Sequence, residues 1–504
     1  MSEVLVLNND DLAETIRQGD AQRAGGSLRI KRKRTRSPRA SEDDGSEMVV
    51  VGYQRDDTPM RHSPQPDNTW IEIPLKLHSL ETYIFIGFDN VKAATLWEFW
   101  DTLQPRYRNH DGSEHSFLWY AEQLIHDQVD NPASTQDDWR GTLHQWGIRP
   151  DLIDDILDQA FTQVRLTQSL KDIVLETFHD AYNFLLCVRS VSDQRDSQRK
   201  SVRSSRGGRG DGWRRVQRTS TGNVPTWFEN LQGTWASLDS GVQDERILTY
   251  EAAPGTTVLY RGTLLSNLQK SGNQGLPAFK PVWPLRDNSE PRFTAADFET
   301  ELVLNTANET ALSNNRSAPA DFTNGVNAWY FTPQLEVAKQ HARYANKRLG
   351  ACDPVIVRFD IPNALFERKL PPIQYVFRDW ESEIWKEFVW NRRQQGSLPK
   401  HLRAEIPYDT QLLIGPISRS HDDVIRGMAS WQSIDHRHIY KLGEGHELGE
   451  GADDGHGFEV GIQYVFPMII NDDATPLMQN IFAQCKNSSK VCALSRADTA
   501  FGRQ

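Results

Sequence analysis

The densest run of potential ligands and acid–base groups in this 504-residue chain is 436–459, HRHIYKLGEGHELGEGADDGHGFE. His436, His438, His446 and His456 alternate there with carboxylates, a donor mixture that suits divalent cations. Their intervals match no standard metal site, so a solvated loop without metal is expected. His110, His115, His126, His144 and His179 are spread irregularly and carry no catalytic pattern. Cys187, Cys352, Cys485 and Cys492 include no CxxC pair and are too scattered for a disulfide framework, so reduced thiols are expected.

Charge is distributed more tellingly. From Arg23 to Arg39 there are eight Lys/Arg and no acid, centred on Lys31-Arg32-Lys33-Arg34 and followed by Ser37-Pro38. From Arg195 to Arg218, a stretch whose Gly/Ser/Arg-rich core is SVRSSRGGRGDGWRR, nine Lys/Arg face two Asp. The net charge is −11, so removing these blocks leaves about −26 on the remainder. The folded parts are therefore expected to be acidic, and any nucleic-acid contact is confined to basic tails. The 31–34 cluster reads as a nuclear-import patch, with RNA or membrane-surface contact by the same charges as the alternatives. No run of eighteen apolar residues occurs, and MSEVLVLNNDDLAE has no signal-peptide pattern, so a nuclear or cytoplasmic protein that does not span a membrane is expected.

These features need elements to position them. Residues 1–67 are polar and Ser/Pro-rich and are expected to be a mostly disordered tail. Residues 68–190 read as a helical domain after WIEIPLKLHSLETYIFIGF, which could be strand. Leu152, Ile153, Ile156, Leu157, Ala160, Phe161 and Val164 recur at helical spacing, as do Ile173, Val174, Thr177, Phe178, Ala181, Tyr182 and Leu185. Pro150 sits where a helix can start. Residues 191–222 read as a basic Gly/Ser/Arg linker, 223–486 as an α+β domain of short apolar segments and a few helices, and 487–504 as a tail. Thr332-Pro333 is expected to open a helix whose face is Leu335, Ala338, His341, Ala342 and Ala345.

The order of the segments LYRGT (259–263), DFTNGVNAWYFTPQLEVAKQHA (321–342), VIVRFDI (355–361), WKEFVWNRR (385–393), YDTQLLIGPISRSHDDV (408–424) and QYVF (463–466) resembles the ADP-ribosyltransferase-like superfamily. The closer likeness is to its microbial and fungal branch, and it covers about 256–485. The resemblance implies an α+β fold with a split antiparallel sheet clasping NAD, here as substrate and without metal.

By the same resemblance, Arg261, with Gly262 and Thr263, falls on the first-strand site position, Tyr330 and Thr332 on the second, and Gln463 on the late catalytic position. Arg can grip pyrophosphate or ribose through its fork of donors, and a tyrosine face suits the cationic nicotinamide ring. Gln463 can bind a hydroxyl but brings no negative charge, so Glu387 and Glu459 are the nearby carboxylate candidates. Two outcomes stay open. One is an enzyme that moves ADP-ribose to a protein acceptor or water; the other is a catalytically inactive nuclear scaffold whose helical domain meets a partner. On either, Arg261, Tyr330 and Gln463 should converge.

Overall fold

The computed structural model describes residues 4–35, 70–107, 115–128, 139–206, 252–267, 321–322, 328–366, 374–394, 398–406, 410–420, 422–442, 459–467 and 490–493. The 443–458 part of the His/Gly loop, Ser37-Pro38 and the Gly/Arg segment after Arg206 lie outside them.

The amino-terminal segment holds helix α1 (Asn9–Arg17) and strands β1 (Ala21–Ala24) and β2 (Ser27–Lys31). Asn8 caps α1, its side-chain oxygen accepting from the Asp11 amide at 2.8 Å. Strand β3 (Trp70–Pro74) pairs with β2 to complete an antiparallel sheet of order β1-β2-β3. Leu28, Ile30 and Ile73 are fully buried on its inner face. Residues 4–35 are therefore not a disordered tail. Their apolar positions are too few to be seen in a composition window, and they are stabilised by partners far along the chain.

The basic cluster is part of this arrangement. Lys31 and Arg34 both pair with the buried Asp20, at 2.9 and 2.8 Å. Arg32, 2% exposed, donates to the Ala351 carbonyl at 2.8 Å and pairs with Asp353 at 3.2 Å. These are anchoring contacts.

The helical layer comprises α2 (Leu80–Ile86), α3 (Asn90–Tyr107), α4 (His115–His126), α5 (Trp139–Gln145), α6 (Pro150–Ile156), α7 (Thr162–Arg165) and α8 (Leu170–Arg206). The stretch after β3 is helix rather than strand because Ser79 accepts from the Thr82 amide and Gly87, at φ 141°, ends the turn. Tyr83 and Phe117 stack with centroids 4.2 Å apart at the centre of the layer. Helix α8 runs through the first half of the expected linker. Arg199 there donates to the fully buried Asp11 at 2.8 Å, and Arg195 donates to the Arg34 carbonyl at 2.7 Å.

The remainder is α+β, as the sequence implies. Strands β4 (Thr256–Leu264), β6 (Pro354–Pro362) and β12 (Lys490–Ala493) form one antiparallel sheet of order β12-β6-β4. The carboxy-terminal stretch expected to be a tail thus supplies an edge strand. A second sheet has order β5-β11-β8-β7, from β5 (Ala328–Phe331), β7 (Gln374–Val376), β8 (Leu412–Pro416) and β11 (Ile462–Pro467); only β7 and β8 run parallel. The two sheets touch where the Tyr260 and Thr332 backbones exchange hydrogen bonds at 2.7 and 2.9 Å. Leu259, Phe331, Ile361, Leu412 and Phe466 fill the space between them.

Helix α9 (Leu335–Arg348) lies across β4, and its other side joins the helical layer's core through Val337, Tyr344 and Ala345. Tyr344 donates its hydroxyl to the Ile156 carbonyl at 3.0 Å. Gly262 permits the close approach of α9, since a Cβ there would lie 1.9 Å from the Ala338 carbonyl oxygen. Gly262→Ala is expected to cost about 1–3 kcal/mol, the range for overpacking a dense core. Gly350→Ala, where an added Cβ meets nothing, stays within about 0.5 kcal/mol of the parent. Urea unfolding of the two variants checks this, and equal midpoints would refute the contact.

Candidate functional site

Strand alternation decides which side chains can meet. On β4, Leu259 and Arg261 share the face toward the second sheet, while Tyr260 and Gly262 face α9. On β5, Trp329 and Phe331 face the inter-sheet core, and Ala328 and Tyr330 face the opposite way. Arg261 accordingly stands over Trp329, its Cζ 5.0 Å from the ring centroid, with Phe331 at 6.0 Å.

Arg261 is half-buried as a residue, but its Nη1 is sealed from solvent and has no hydrogen-bond partner among the described residues. Burial pulls the guanidinium down to about 10, against the opposing pull of Glu176 and Asp180, so it stays cationic at neutral pH. A desolvated N–H without an acceptor is costly. It is also a place where an anionic oxygen would be welcome.

The carboxylates in electrostatic reach of Arg261 come from the helical layer. Asp180 on α8 accepts from Asn267 Nδ2 at 2.8 Å, and that nitrogen also donates to Thr263 Oγ1 at 3.2 Å, two positions beyond Arg261 on the same strand face. Burial, helped by Glu176, pushes the Asp180 carboxyl up to about 7, with Arg348 opposing. Glu176 pairs with Arg348 at 2.8 Å, and Arg348 also donates to the Ile173 carbonyl and Thr177 Oγ1, both at 3.0 Å. His341, half-buried on α9, is driven down to about 4 by burial, with Glu176 opposing and Arg348 and Arg261 adding to the fall. Its imidazole is neutral at neutral pH.

Gln463 belongs to a different place. It follows Val465 to the far face of β11, with Tyr330, and is 4% exposed. Its Nε2 donates to Asp321 Oδ2 at 3.2 Å and to the Pro416 carbonyl at 3.3 Å. Asp321 is gripped by Arg393 at the end of α10 (Glu383–Arg393), through Nε at 2.8 Å and Nη2 at 2.6 Å, and by the Ser418 amide at 2.6 Å. Arg393 also reaches the Thr167 carbonyl at 3.2 Å, tying this node to the helical layer.

Tyr330 and Gln463 therefore share one face of the second sheet, and Arg261 lies on the other. The expected convergence of the three is not found. Gly262 is a packing residue, Thr263 serves Asn267, and Thr332 Oγ1 accepts from the Gln334 amide at 3.1 Å where α9 begins. Glu387 takes a hydrogen bond from His401 at 2.7 Å. Glu459, on β10 (Glu459–Val460), which pairs with β9 (Lys441–Leu442), accepts from Gln334 Nε2 at 3.0 Å. Neither is among the groups acting on Arg261.

Glu176, Asp180 and Arg348 escaped the sequence reading. The usable signal was a Glu and an Asp at i, i+4 beside the apolar stripe of α8, which places both on one side of that helix. Among the described residues no group of three His, Cys, Asp or Glu side chains is placed to hold a metal, and no helix is long and apolar enough to cross a membrane. Within 436–459, His438 Nδ1 accepts from the Asp435 amide at 3.1 Å in a capping box. What the geometry offers is a desolvated guanidinium nitrogen on an aromatic wall. Comparison of the chain with protein-family models, curated proteins and solved structures finds no match, so its family is not indicated by likeness to known proteins.

Proposed function

We propose that the chain is an ADP-ribosyltransferase-like protein that binds a dinucleotide of the NAD class at Arg261 and does not transfer ADP-ribose. The observation that carries this reading is the unpartnered, desolvated Nη1 of Arg261 above Trp329, which combines a phosphate-gripping charge with a flat ring. The order of the quoted segments supports it, since LYRGT, AWYF, VIVRFDI, LLIGP and QYVF fall on β4, β5, β6, β8 and β11. Lack of transfer follows from the late strand. An oxocarbenium-like transition state needs a negative charge from the late strand, whereas Gln463 is neutral, already engaged by Asp321, and on the face of the second sheet away from Arg261.

Titration with NAD should quench Trp329 fluorescence and release no nicotinamide above the buffer rate. Arg261→Met, which keeps the aliphatic packing on Trp329, should weaken binding by about 1.5–3 kcal/mol with little change in Tm. Nicotinamide release that depends on the protein would overturn the claim of silence. No quenching at millimolar NAD would overturn the ligand assignment.

A further inference from the structure

The fold absorbs only part of the amino-terminal basic cluster. Lys31 and Arg34 are tied to Asp20, and Arg32 to Ala351 and Asp353. Arg23 and Arg29 are exposed, and among the described residues neither makes an ion pair. The ladder places Gln22, Arg29 and Glu72 in one row across the sheet, and Lys31 opposite Trp70 in the next row of the same face. The other face carries Ala21, Leu28, Ile30 and Ile73, all buried, so the row of Arg29 and Trp70's row look outward.

Trp70 is not placed as a packing residue. It is half-buried and joins none of the apolar clusters, whereas Ile71 and Ile73 on the same strand pack into the core. Among the described residues its ring meets no other aromatic ring. It is flanked instead by two cations of β2, the Arg29 Cζ at 5.9 Å and the Lys31 Nζ at 5.6 Å from its centroid. A flat ring between positive charges on the outside of a small sheet has one evident use, which is to receive another flat ring that carries negative charge beside it.

We propose that the outer face of the β1-β2-β3 sheet binds single-stranded nucleic acid, a base stacking on Trp70 while adjoining phosphates meet Arg29 and Lys31. Stacking on an aromatic platform is tolerant of sequence, since every base offers a π-face, and phosphates supply the complement to the exposed cations. A duplex keeps its bases inside and could use only the charges. An acidic peptide would match the charges and leave the ring without a partner of its own kind, and a membrane surface would call for more apolar side chains than this one. The acidic remainder of the chain repels a polyanion, so contact concentrates where cations are unmatched. Glu72 opposes it from the row of Arg29, and Lys31 is already shared with Asp20, so the binding is weak and sensitive to salt. This face belongs to a different sheet from Arg261, and the inference does not rest on the dinucleotide reading.

The test is fluorescence anisotropy of a labelled oligouridylate titrated with the full chain at several salt concentrations, with a duplex of the same length and phosphatidylserine vesicles as competitors. Trp70→Ala should weaken binding about 5- to 100-fold, the effect of losing one stacked base, and Trp70→Phe should restore most of it. Arg29→Ala should weaken binding and lower the salt slope by about one phosphate contact. Glu72→Lys should tighten binding, a gain that damage to the fold does not produce. Arg261→Met should leave it unchanged. Affinity that is the same in Trp70→Ala, as when the Gly/Arg segment after Arg206 does the binding, would overturn the proposal. So would equal affinity for the duplex, displacement by vesicles in preference to unlabelled oligonucleotide, or no binding at low salt; none of these touches the NAD titration.

Discussion

Asp321→Ala is expected to lower folding stability by about 3–5 kcal/mol, the range for removing one partner of a buried ion pair. Asp321 is 1% exposed and Arg393 4%, so the charge left behind cannot turn to water. The same deletion strands the Ser418 amide and removes one of the two acceptors of the Gln463 carboxamide. Its effect should reach the helical layer, because Arg393 holds the Thr167 carbonyl and the Ser420 amide donates to the Leu166 carbonyl at 2.9 Å. Urea unfolding gives the magnitude, and hydrogen exchange around residues 162–173 gives the reach. A loss under 1 kcal/mol, against that range, would mean the node carries little of the fold.

Gln463→Glu separates two accounts of the late strand. On the resemblance alone, a carboxylate there restores missing charge and should raise nicotinamide release. On the structure, the new carboxyl loses the Nε2 donor and lies beside Asp321, whose own carboxyl burial already pushes up despite the pull of Arg393. Two buried acids cannot both ionise cheaply, so a loss of at least about 3 kcal/mol at pH 7 is expected. Both acids would bind protons more tightly in the native than in the unfolded state. Stability should therefore recover as the pH falls from 7 toward 4 and worsen as it rises. A variant as stable as the parent at pH 7 that also releases nicotinamide would show that Gln463 is the catalytic position after all.

The sequence made the periodic parts legible. The Leu152 and Ile173 stripes mark buried helix faces, and the segments LYRGT, AWYF, VIVRFDI, LLIGP and QYVF of the α+β part lie on strands. It could not say which face of a strand belongs to a site, because neighbouring positions on one strand look equally apolar. AWYFT offers three aromatics in a row, and the choice of Tyr330 rather than Trp329 or Phe331 is a one-residue question that reverses the side of the sheet. Charge misled for a related reason. Eight cations without a local acid look like a solvated tail, yet Arg32 is paired with residues more than three hundred positions away. Asp180 was hidden because its hydrogen-bond partner, Asn267, lies 87 residues away, just beyond β4, and their approach depends on packing that no single window contains.

The anchoring of Arg32 also has a consequence in time. The Gly350 carbonyl that receives its guanidinium lies 318 residues further along the chain. At a synthesis rate of about 5–20 residues per second, Arg32 leaves the ribosome roughly 15–65 s before that acceptor exists. For that interval Arg32 cannot take up its buried place, and its charge is open to any acidic surface in the translating cell. The first sheet to be synthesised is thus among the last to be locked.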